Sequence, residues 1–170
     1  MTDLLLTRRS IKKYSSRMPS DEDIRKITEA GLYAPSAMNR QMAKIIIIKN
    51  KELRDEIAKA NASIMNRDFD PFYNAPVIML VIAKRDWPTA RHDGALVIGN
   101  MLLKAHELGL GACWIHRADE EMKMPIGKKI MEKIGLEGDY EGIGHMALGY
   151  PDCEYPKAAP RLEDRIFYLD

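Results

Sequence analysis

The sequence predicts a protein of the α+β or α/β class, in which helices pack against a sheet. Three short runs rich in apolar and β-branched residues have the length of buried strands, namely 44–49, 76–83 and 146–150. Segments with apolar residues at helical spacing lie before and between these runs. No glycine-rich loop joins a strand to a helix, so the sequence indicates neither a Rossmann fingerprint nor a P-loop.

The predicted helices have recognisable ends. Ser20, followed three residues later by Asp23, is typical of a helix N-cap, and this first helix is expected to run to about Tyr33. Apolar residues recur so densely over 91–108 that this segment is expected to be a central helix, buried on several sides and ending before Gly109. Two other helices are predicted, one containing Leu53, Ile57 and Ala60 and one running from Asp119 through Ile134 to Gly135.

Length and composition narrow the class of protein. The 170 residues fit a single domain over 1–170. A hydrophobic share of 46% and a net charge of +1 favour neither disorder nor a polyanion-binding surface, so nucleic acid is not an expected partner. The sequence has no apolar run of the roughly 18 residues that a membrane helix needs and no signal-peptide pattern, so we expect a cytoplasmic protein without a membrane partner. Cys113 and Cys153 lack metal-ligand spacing and are expected to be reduced, so no zinc site or disulfide is indicated.

Three cations within five residues form the first cluster with chemical potential. Arg8, Arg9 and the hydroxyl of Ser10 could grip a phosphate, because guanidinium groups bind phosphate oxygens in a bidentate way. Lys12 could then reach another electron-rich group of the same ligand. The alternative is that this run is a solvated helix end, as charge runs often are.

The second cluster lies between the first predicted helix and the first predicted strand. Ser36, Asn39 and Gln41 could direct uncharged donors and acceptors at a heterocyclic or polyol ligand. The alternative is ordinary turn chemistry, since proline, serine and asparagine are common in turns.

Together with two later segments, these clusters resemble the nitroreductase family. The matching segments are 8–12 (RRSIK), 34–41 (APSAMNRQ), 109–115 (GLGACWI) and 147–151 (ALGYP), in the family's order and spacing over nearly the whole chain. The resemblance implies an α+β fold with a central, mainly antiparallel sheet flanked by helices. It also implies a homodimer with two FMN sites, each built from both subunits.

The resemblance assigns contacts with FMN to four groups of residues. The motif that holds the phosphate and the pyrimidine side of the ring corresponds to Arg8, Arg9, Ser10 and Lys12. A C-terminal basic residue on the same phosphate corresponds to Arg161. The loop that reaches the flavin from the partner subunit corresponds to Pro35, Ser36, Asn39 and Gln41. The segment along the reactive edge of the ring, where a backbone N–H can face N5, corresponds to Cys113, Trp114 and Ile115, with Cys113 as a packing residue.

Some positions depart from the family pattern or stay open. Many members have Pro-Trp after the second motif, where this chain has Met42-Ala43, and the chain is short, so few helices are expected to roof the pocket. His106, on the central helix, is expected to be a satisfied core residue. The residues whose role is left open between ligand contact and solvated surface are Asn66, Arg67, His116 and Lys157.

The function that the resemblance implies is hydride transfer through FMN. NADH or NADPH reduces the flavin, leaves, and is replaced in a ping-pong cycle by a small-molecule acceptor such as a nitroaromatic or a quinone. Hydride transfer at N5 needs no side-chain acid or base, so no catalytic side chain is assigned. One alternative is a family offshoot that dehalogenates or dehydrogenates a specific metabolite; another is a flavin-binding carrier or sensor without turnover.

Overall fold

The computed structural model describes residues 3–169. Four strands form one sheet in the order β1-β2-β4-β3, and every neighbouring pair is antiparallel. The strands are β1 (Lys44–Ile48), β2 (Val77–Lys84), β3 (Gly111–Ile115) and β4 (Tyr140–Gly149). The expected α+β fold with a central antiparallel sheet is thereby confirmed.

Helices cover both faces of this sheet. The helices are α1 (Leu4–Thr7), α2 (Asp21–Leu32), α3 (Lys51–Ile64), α4 (Ala90–Glu107), α5 (Ala118–Met122) and α6 (Pro125–Ile134), and a 3-10 turn spans Ala37–Asn39. The apolar residues of α2 and α4 pack against one face, and those of α3, α5 and α6 against the other. Among the described residues, no helix is long and apolar enough to cross a membrane.

Strand β2 lies at the centre of the core because apolar side chains point to both of its sides. Val77, Met79 and Val81 face α2 and α4, whereas Ile78 and Leu80 face the opposite helices. A strand covered on both faces reads as a continuous apolar run, which is why the sequence predicted it correctly.

The cap of α2 was also predicted correctly. Ser20 accepts a hydrogen bond from the N–H of Asp23 at 3.0 Å, and the helix ends at Leu32 with Tyr33 as its cap. At the end of α4, Gly109 has a φ of +74°, the left-handed conformation that glycine adopts without steric cost.

Strand β3 was not predicted as a strand, and β4 is longer than the run 146–150 suggested. The first half of β4 contains Gly142 and Gly144, which favour strands poorly. Both glycines are required by packing: a Cβ atom on Gly142 would lie 2.3 Å from the carbonyl carbon of Ala118, and one on Gly144 would lie 2.7 Å from Nε1 of Trp114. The close approach of α5 and of the Trp114 side chain to β4 requires these two glycines. This is why the first half of β4 lacks a recognisable strand pattern in the sequence.

The helix predicted from Asp119 to Ile134 is two helices, α5 and α6. Pro125 occupies the first position of α6, where its missing N–H costs nothing, whereas within a continuous helix it would break the hydrogen-bond ladder. Helix α4 was expected to be buried on several sides, but Leu96 on this helix is 47% exposed in the single subunit. The short helix α1 had no pattern that predicted it.

Candidate functional site

The N-terminal motif runs along the outer edge of β3. Ser10 forms a parallel bridge with Ala112, and the N–H of Ile11 donates to the carbonyl of Ala112 at 3.1 Å. β3 has β4 on its other side, so the N-terminal segment covers the edge that the sheet leaves open. Two segments about 100 positions apart in the sequence are thus brought together.

The backbone of Trp114 faces the same edge. Alternate residues of a strand direct their N–H and C=O groups to the same side, so Trp114 shares the outward direction of Ala112. The next carbonyl of the N-terminal segment, that of Ile11, accepts a hydrogen bond of 2.6 Å from the hydroxyl of Tyr14 instead. The Trp114 N–H is therefore directed at the outer edge of the sheet beside the N-terminal motif.

The side chains of β3 do not all face one ligand surface. Cys113 and Ile115 pack in the cluster on the side of α3, α5 and α6, while Trp114 packs on the side of α2 and α4. This follows from the two-residue period of a strand. The three side chains therefore cannot all contact the same face of one flat ligand. A ring that lies along this segment would meet its backbone.

Cys113 lies within reach of the N-terminal motif. Burial raises the pKa of its thiol, against smaller opposite effects of the Ser10 hydroxyl and of the positive charges of Lys12 and Arg8. A thiol with a raised pKa is a poor nucleophile. This environment agrees with a packing role for Cys113.

Arg9 has an unsatisfied donor. One terminal nitrogen of its guanidinium donates to the carbonyls of Leu6 and Arg8, both at 2.8 Å. Its Nε atom is buried and has no hydrogen-bond partner among residues 3–169. Because a buried donor without a partner costs free energy, an anion that reaches this atom would be stabilised.

A hydrogen-bond chain that the sequence did not predict joins Arg9 to the start of the C-terminal tail. The Tyr155 hydroxyl accepts from the N–H of Arg9 at 3.1 Å and lies 2.7 Å from Nδ1 of His106, whose Nε2 lies 2.9 Å from the hydroxyl of Thr7. Burial, together with the charges of Arg8 and Arg9, lowers the pKa of His106, so its neutral form is favoured. His106 is satisfied, as expected, but it is half-buried beside the N-terminal motif and not in the core.

Lys12 has an aromatic neighbour. Its ammonium group lies 5.7 Å from the centre of the Tyr73 ring, within cation–π range. Tyr73 has a φ of +55°, which is uncommon for a side chain of this size. Asp70 stabilises this turn by accepting hydrogen bonds from the N–H groups of Phe72 and Asn74. No sequence pattern predicted that Tyr73 contacts Lys12.

The loop that carries Pro35 lies elsewhere on the subunit, at the start of α4. The N–H of Ala37 donates to Asp93 at 3.2 Å, and Ser36 accepts from the N–H of Gln41 at 3.1 Å. The side chain of Gln41 donates to that of Asn39 at 3.0 Å, and both are exposed. In the described part of the chain, no hydrogen bond or ion pair joins this loop to the N-terminal motif.

Arg161 lies in the exposed C-terminal tail, and residues 3–169 provide no hydrogen bond or ion pair between it and the N-terminal motif. The tail is strongly apolar at its end, where Phe167 and Leu169 are 79% and 98% exposed. A bond between Arg161 and the motif is not required for a shared phosphate, because both groups are cations that would each donate to the anion.

The residues left open by the sequence fall in three places. Lys157 lines a groove with Arg9 and Tyr155, next to the motif. Arg67 lines a different groove, beside Arg54 and Asp70, and Asn66 precedes it with a φ of +51°. His116 is exposed at the mouth of a cavity beside Trp114.

Comparison with known proteins agrees with this architecture. A sequence model of the nitroreductase family matches residues 5–68 and 63–150. A candidate NADH dehydrogenase/NAD(P)H nitroreductase of Archaeoglobus fulgidus is 30% identical over 89% of this chain and 85% of its own. Iodotyrosine deiodinase of Thermotoga neapolitana is 23% identical over 98% of this chain and 96% of its own.

A solved structure of a nitroreductase has the same fold. The crystal structure of a nitroreductase with bound FMN from Bacteroides fragilis superposes with a TM-score of 0.87 at 26% identity and covers 100% of both chains. The fold, with its N-terminal motif on the edge of β3, therefore defines a member of a known enzyme class. The chain belongs to the nitroreductase family.

Proposed function

We propose that this protein is an FMN-dependent oxidoreductase that takes hydride from NADH or NADPH and passes it to a nitroaromatic, a quinone or a related small molecule. The observation that carries the proposal is the position of the cationic N-terminal motif beside the backbone of Trp114, with Arg9 Nε as a buried donor without a partner. The FMN in the Bacteroides fragilis structure and the name of the archaeal relative support the cofactor and the activity. We infer that residues 1–170 form one FMN-binding domain.

The bound FMN would accept and donate the hydride, while the chain binds and orients it. In this proposal, Arg8, Arg9 and Ser10 would hold the phosphate, and Lys12 would lie beside the pyrimidine edge of the ring. The Trp114 N–H, directed at the outer edge of β3, would donate a hydrogen bond to N5. Because hydride transfer at N5 needs no side-chain acid or base, the chain would also have to leave one face of the ring open, so that donor and acceptor bind there in turn in a ping-pong cycle.

A homodimer completes the proposed site. The loop residues Pro35, Ser36, Asn39 and Gln41 would contact the flavin of the partner subunit, which explains why they lie apart from the motif of their own subunit. The exposed apolar end of the tail supports this assembly, because a free tail of this composition is costly in water. Light scattering should give a dimer mass for the flavin-loaded protein; a flavin-loaded monomer would contradict the assignment of the loop.

Turnover with a quinone tests the proposed activity. The purified protein, reconstituted with FMN, should oxidise NADH or NADPH rapidly when menadione is present, with parallel lines in a double-reciprocal plot as the ping-pong scheme requires. Flavin binding without turnover would instead identify a carrier or a sensor.

A second candidate function is reductive dehalogenation, favoured by the similarity to iodotyrosine deiodinase over nearly the whole chain. Two electrons and a proton would replace a carbon–halogen bond by a carbon–hydrogen bond and release halide. Halide release from a halotyrosine, with the reductant supplied, would favour this function over the reduction of nitro compounds and quinones.

Removing Arg161 is expected to weaken the binding of FMN by about 1.5–3 kcal/mol, the range for a hydrogen bond to a charged group. The reason is its proposed contact with the phosphate. Fluorescence titration with FMN should show the loss in Arg161→Ala and not in Arg165→Ala, which removes another exposed arginine of the same tail. Equal affinities of the two variants would remove Arg161 from the site.

Removing the charge of Lys12 is expected to lower the midpoint potential of the bound flavin. Reduction places negative charge on the ring edge that Lys12 is proposed to face, so its ammonium group stabilises the reduced form. An interaction of about 1–2 kcal/mol corresponds to roughly 20–45 mV for two electrons. Redox titration of Lys12→Met measures the shift.

The control for Lys12 is Lys13→Met. Lys13 is adjacent but forms an exposed ion pair with Asp152 at 3.3 Å, so its removal should leave the potential unchanged. A potential in Lys12→Met equal to that of the wild type, or higher, would mean that Lys12 is a solvated surface lysine.

A further inference from the structure

A cavity of about 280 Å³ opens beside Trp114, between the start of α4, the β3–β4 edge and α5. Its walls include Trp114, Gly142 and Arg117. Trp114 thus lines the cavity and also belongs to β3, the strand that is proposed to lie along the flavin. A small molecule that reaches the flavin past Trp114 would meet Arg117.

Arg117 occupies a position that the backbone does not favour. Its φ is +76° and its ψ +13°, in the left-handed region that a non-glycine residue adopts at a cost. Such strain persists where the surrounding structure fixes it, and it is concentrated at functional sites. The surrounding contacts that fix Arg117 can be identified.

A buried polar network holds the side chain of Arg117 through its Nε atom. Its Nε donates to Oδ1 of Asn61 at 2.9 Å, and Nδ2 of Asn61 donates to the carbonyl of His116 at 2.9 Å. Asn61 is completely buried and also donates to Glu121, whose other oxygen lies 2.7 Å from Nε2 of His145. Glu121 and His145 are 2% and 0% exposed. A network of this burial fixes the orientation of one side of the guanidinium group.

The other side of the guanidinium group remains available. Among residues 3–169, no hydrogen bond or ion pair reaches the two terminal nitrogens of Arg117. Of the two acids in the cavity wall, Asp119 is already engaged, since it lies 2.9 Å from Arg85 and 2.7 Å from Lys123. The other, Glu120, is exposed and forms no ion pair with Arg117 within residues 3–169. Arg91, at the rim, is paired with Glu141 at 2.9 Å. Arg117 is therefore the cation in this wall that lacks a counter-ion.

We propose that Arg117 determines specificity by binding the anionic group of a small molecule in this cavity. A guanidinium group held through Nε presents its two terminal nitrogens as a fork, which matches the oxygens of a carboxylate or a phosphate. The anion belongs either to a carboxylated aromatic acceptor or to the phosphate of the reduced nicotinamide nucleotide. The inference rests on the proposed function only for the identity of these two substrates.

Binding of simple anions tests the site without turnover. Isothermal titration of the dimer with benzoate and with inorganic phosphate should give a dissociation constant that rises about tenfold or more in Arg117→Gln, the loss expected for a charged hydrogen-bond pair. Arg117→Asn should show the same loss with an intact fold, because asparagine tolerates the left-handed conformation. Arg25→Gln, which removes an exposed arginine on α2, is the control.

Steady-state kinetics then distinguish the two sources of the anion. If the acceptor supplies it, Arg117→Gln raises KM for 4-nitrobenzoate about tenfold and leaves KM for uncharged 4-nitrobenzamide unchanged. If the nucleotide supplies it, KM for NADPH or NADH rises by a similar factor with menadione as acceptor. Dissociation constants for benzoate and phosphate that match the wild type in both variants would overturn the proposal, whether or not the protein turns over.

Discussion

Replacing Glu121 by alanine is expected to lower the free energy of unfolding by about 3–5 kcal/mol, the cost of removing one member of a buried pair. Within residues 3–169, the carboxylate of Glu121 joins Asn61 to His145. Its loss leaves one N–H of the Asn61 amide and Nε2 of His145 without a partner at 0% exposure, while Asn61 Nδ2 still donates to the carbonyl of His116. A buried donor retains its full desolvation cost when its acceptor disappears.

Urea denaturation of Glu121→Ala measures this loss. Glu120→Ala is the matched control, because Glu120 is exposed on the same helix and should change stability by less than about 0.5 kcal/mol. Glu121→Gln, which keeps an acceptor oxygen towards Asn61, is expected to fall between the two. Equal stability of Glu121→Ala and Glu120→Ala would show that the network contributes nothing to the folded state.

The network also explains a limit of prediction from sequence. Asn61, Glu121 and His145 are far apart in the chain and lie on three different elements, so no local pattern connects them. His145 alternates with apolar residues on β4 and has no motif around it. Only the fold brings these three side chains into contact. The orientation of Arg117, which bonds to Asn61, therefore also depends on the fold.

Elements with a strong local signal were predictable. Strand β2 is apolar on both faces, and α2 has a serine cap followed by acids, so each is defined by its own residues. Strand β4 was recognised only in its second half, since Gly142 and Gly144 are set by contacts with α5 and Trp114 and not by strand propensity. Propensity fails where tertiary packing selects the residue.

The candidate site also contains residues that the sequence predicted and residues that it did not. The motif 8–12 and the segment around Trp114 were identified from the sequence, and the structure places them side by side. Tyr155 and Tyr73 were missed, because each contacts the motif through a pairing of distant residues. Tyr73 depends in turn on its neighbour Phe72, which anchors the loop between α3 and β2.

Phe72 is completely buried, and its ring meets the His145 ring edge-on at a centroid distance of 5.1 Å. Phe72→Ala is expected to lower the free energy of unfolding by about 3–5 kcal/mol, because the lost apolar contacts leave a cavity. Phe69→Ala, in the same loop but with a side chain 50% exposed, should cost far less. Urea denaturation compares the two. Hydrogen exchange at Tyr73 should accelerate only in Phe72→Ala, since loss of the anchor frees the turn over Lys12; equal stabilities would show that the loop is held by Arg54 and Asp70 alone.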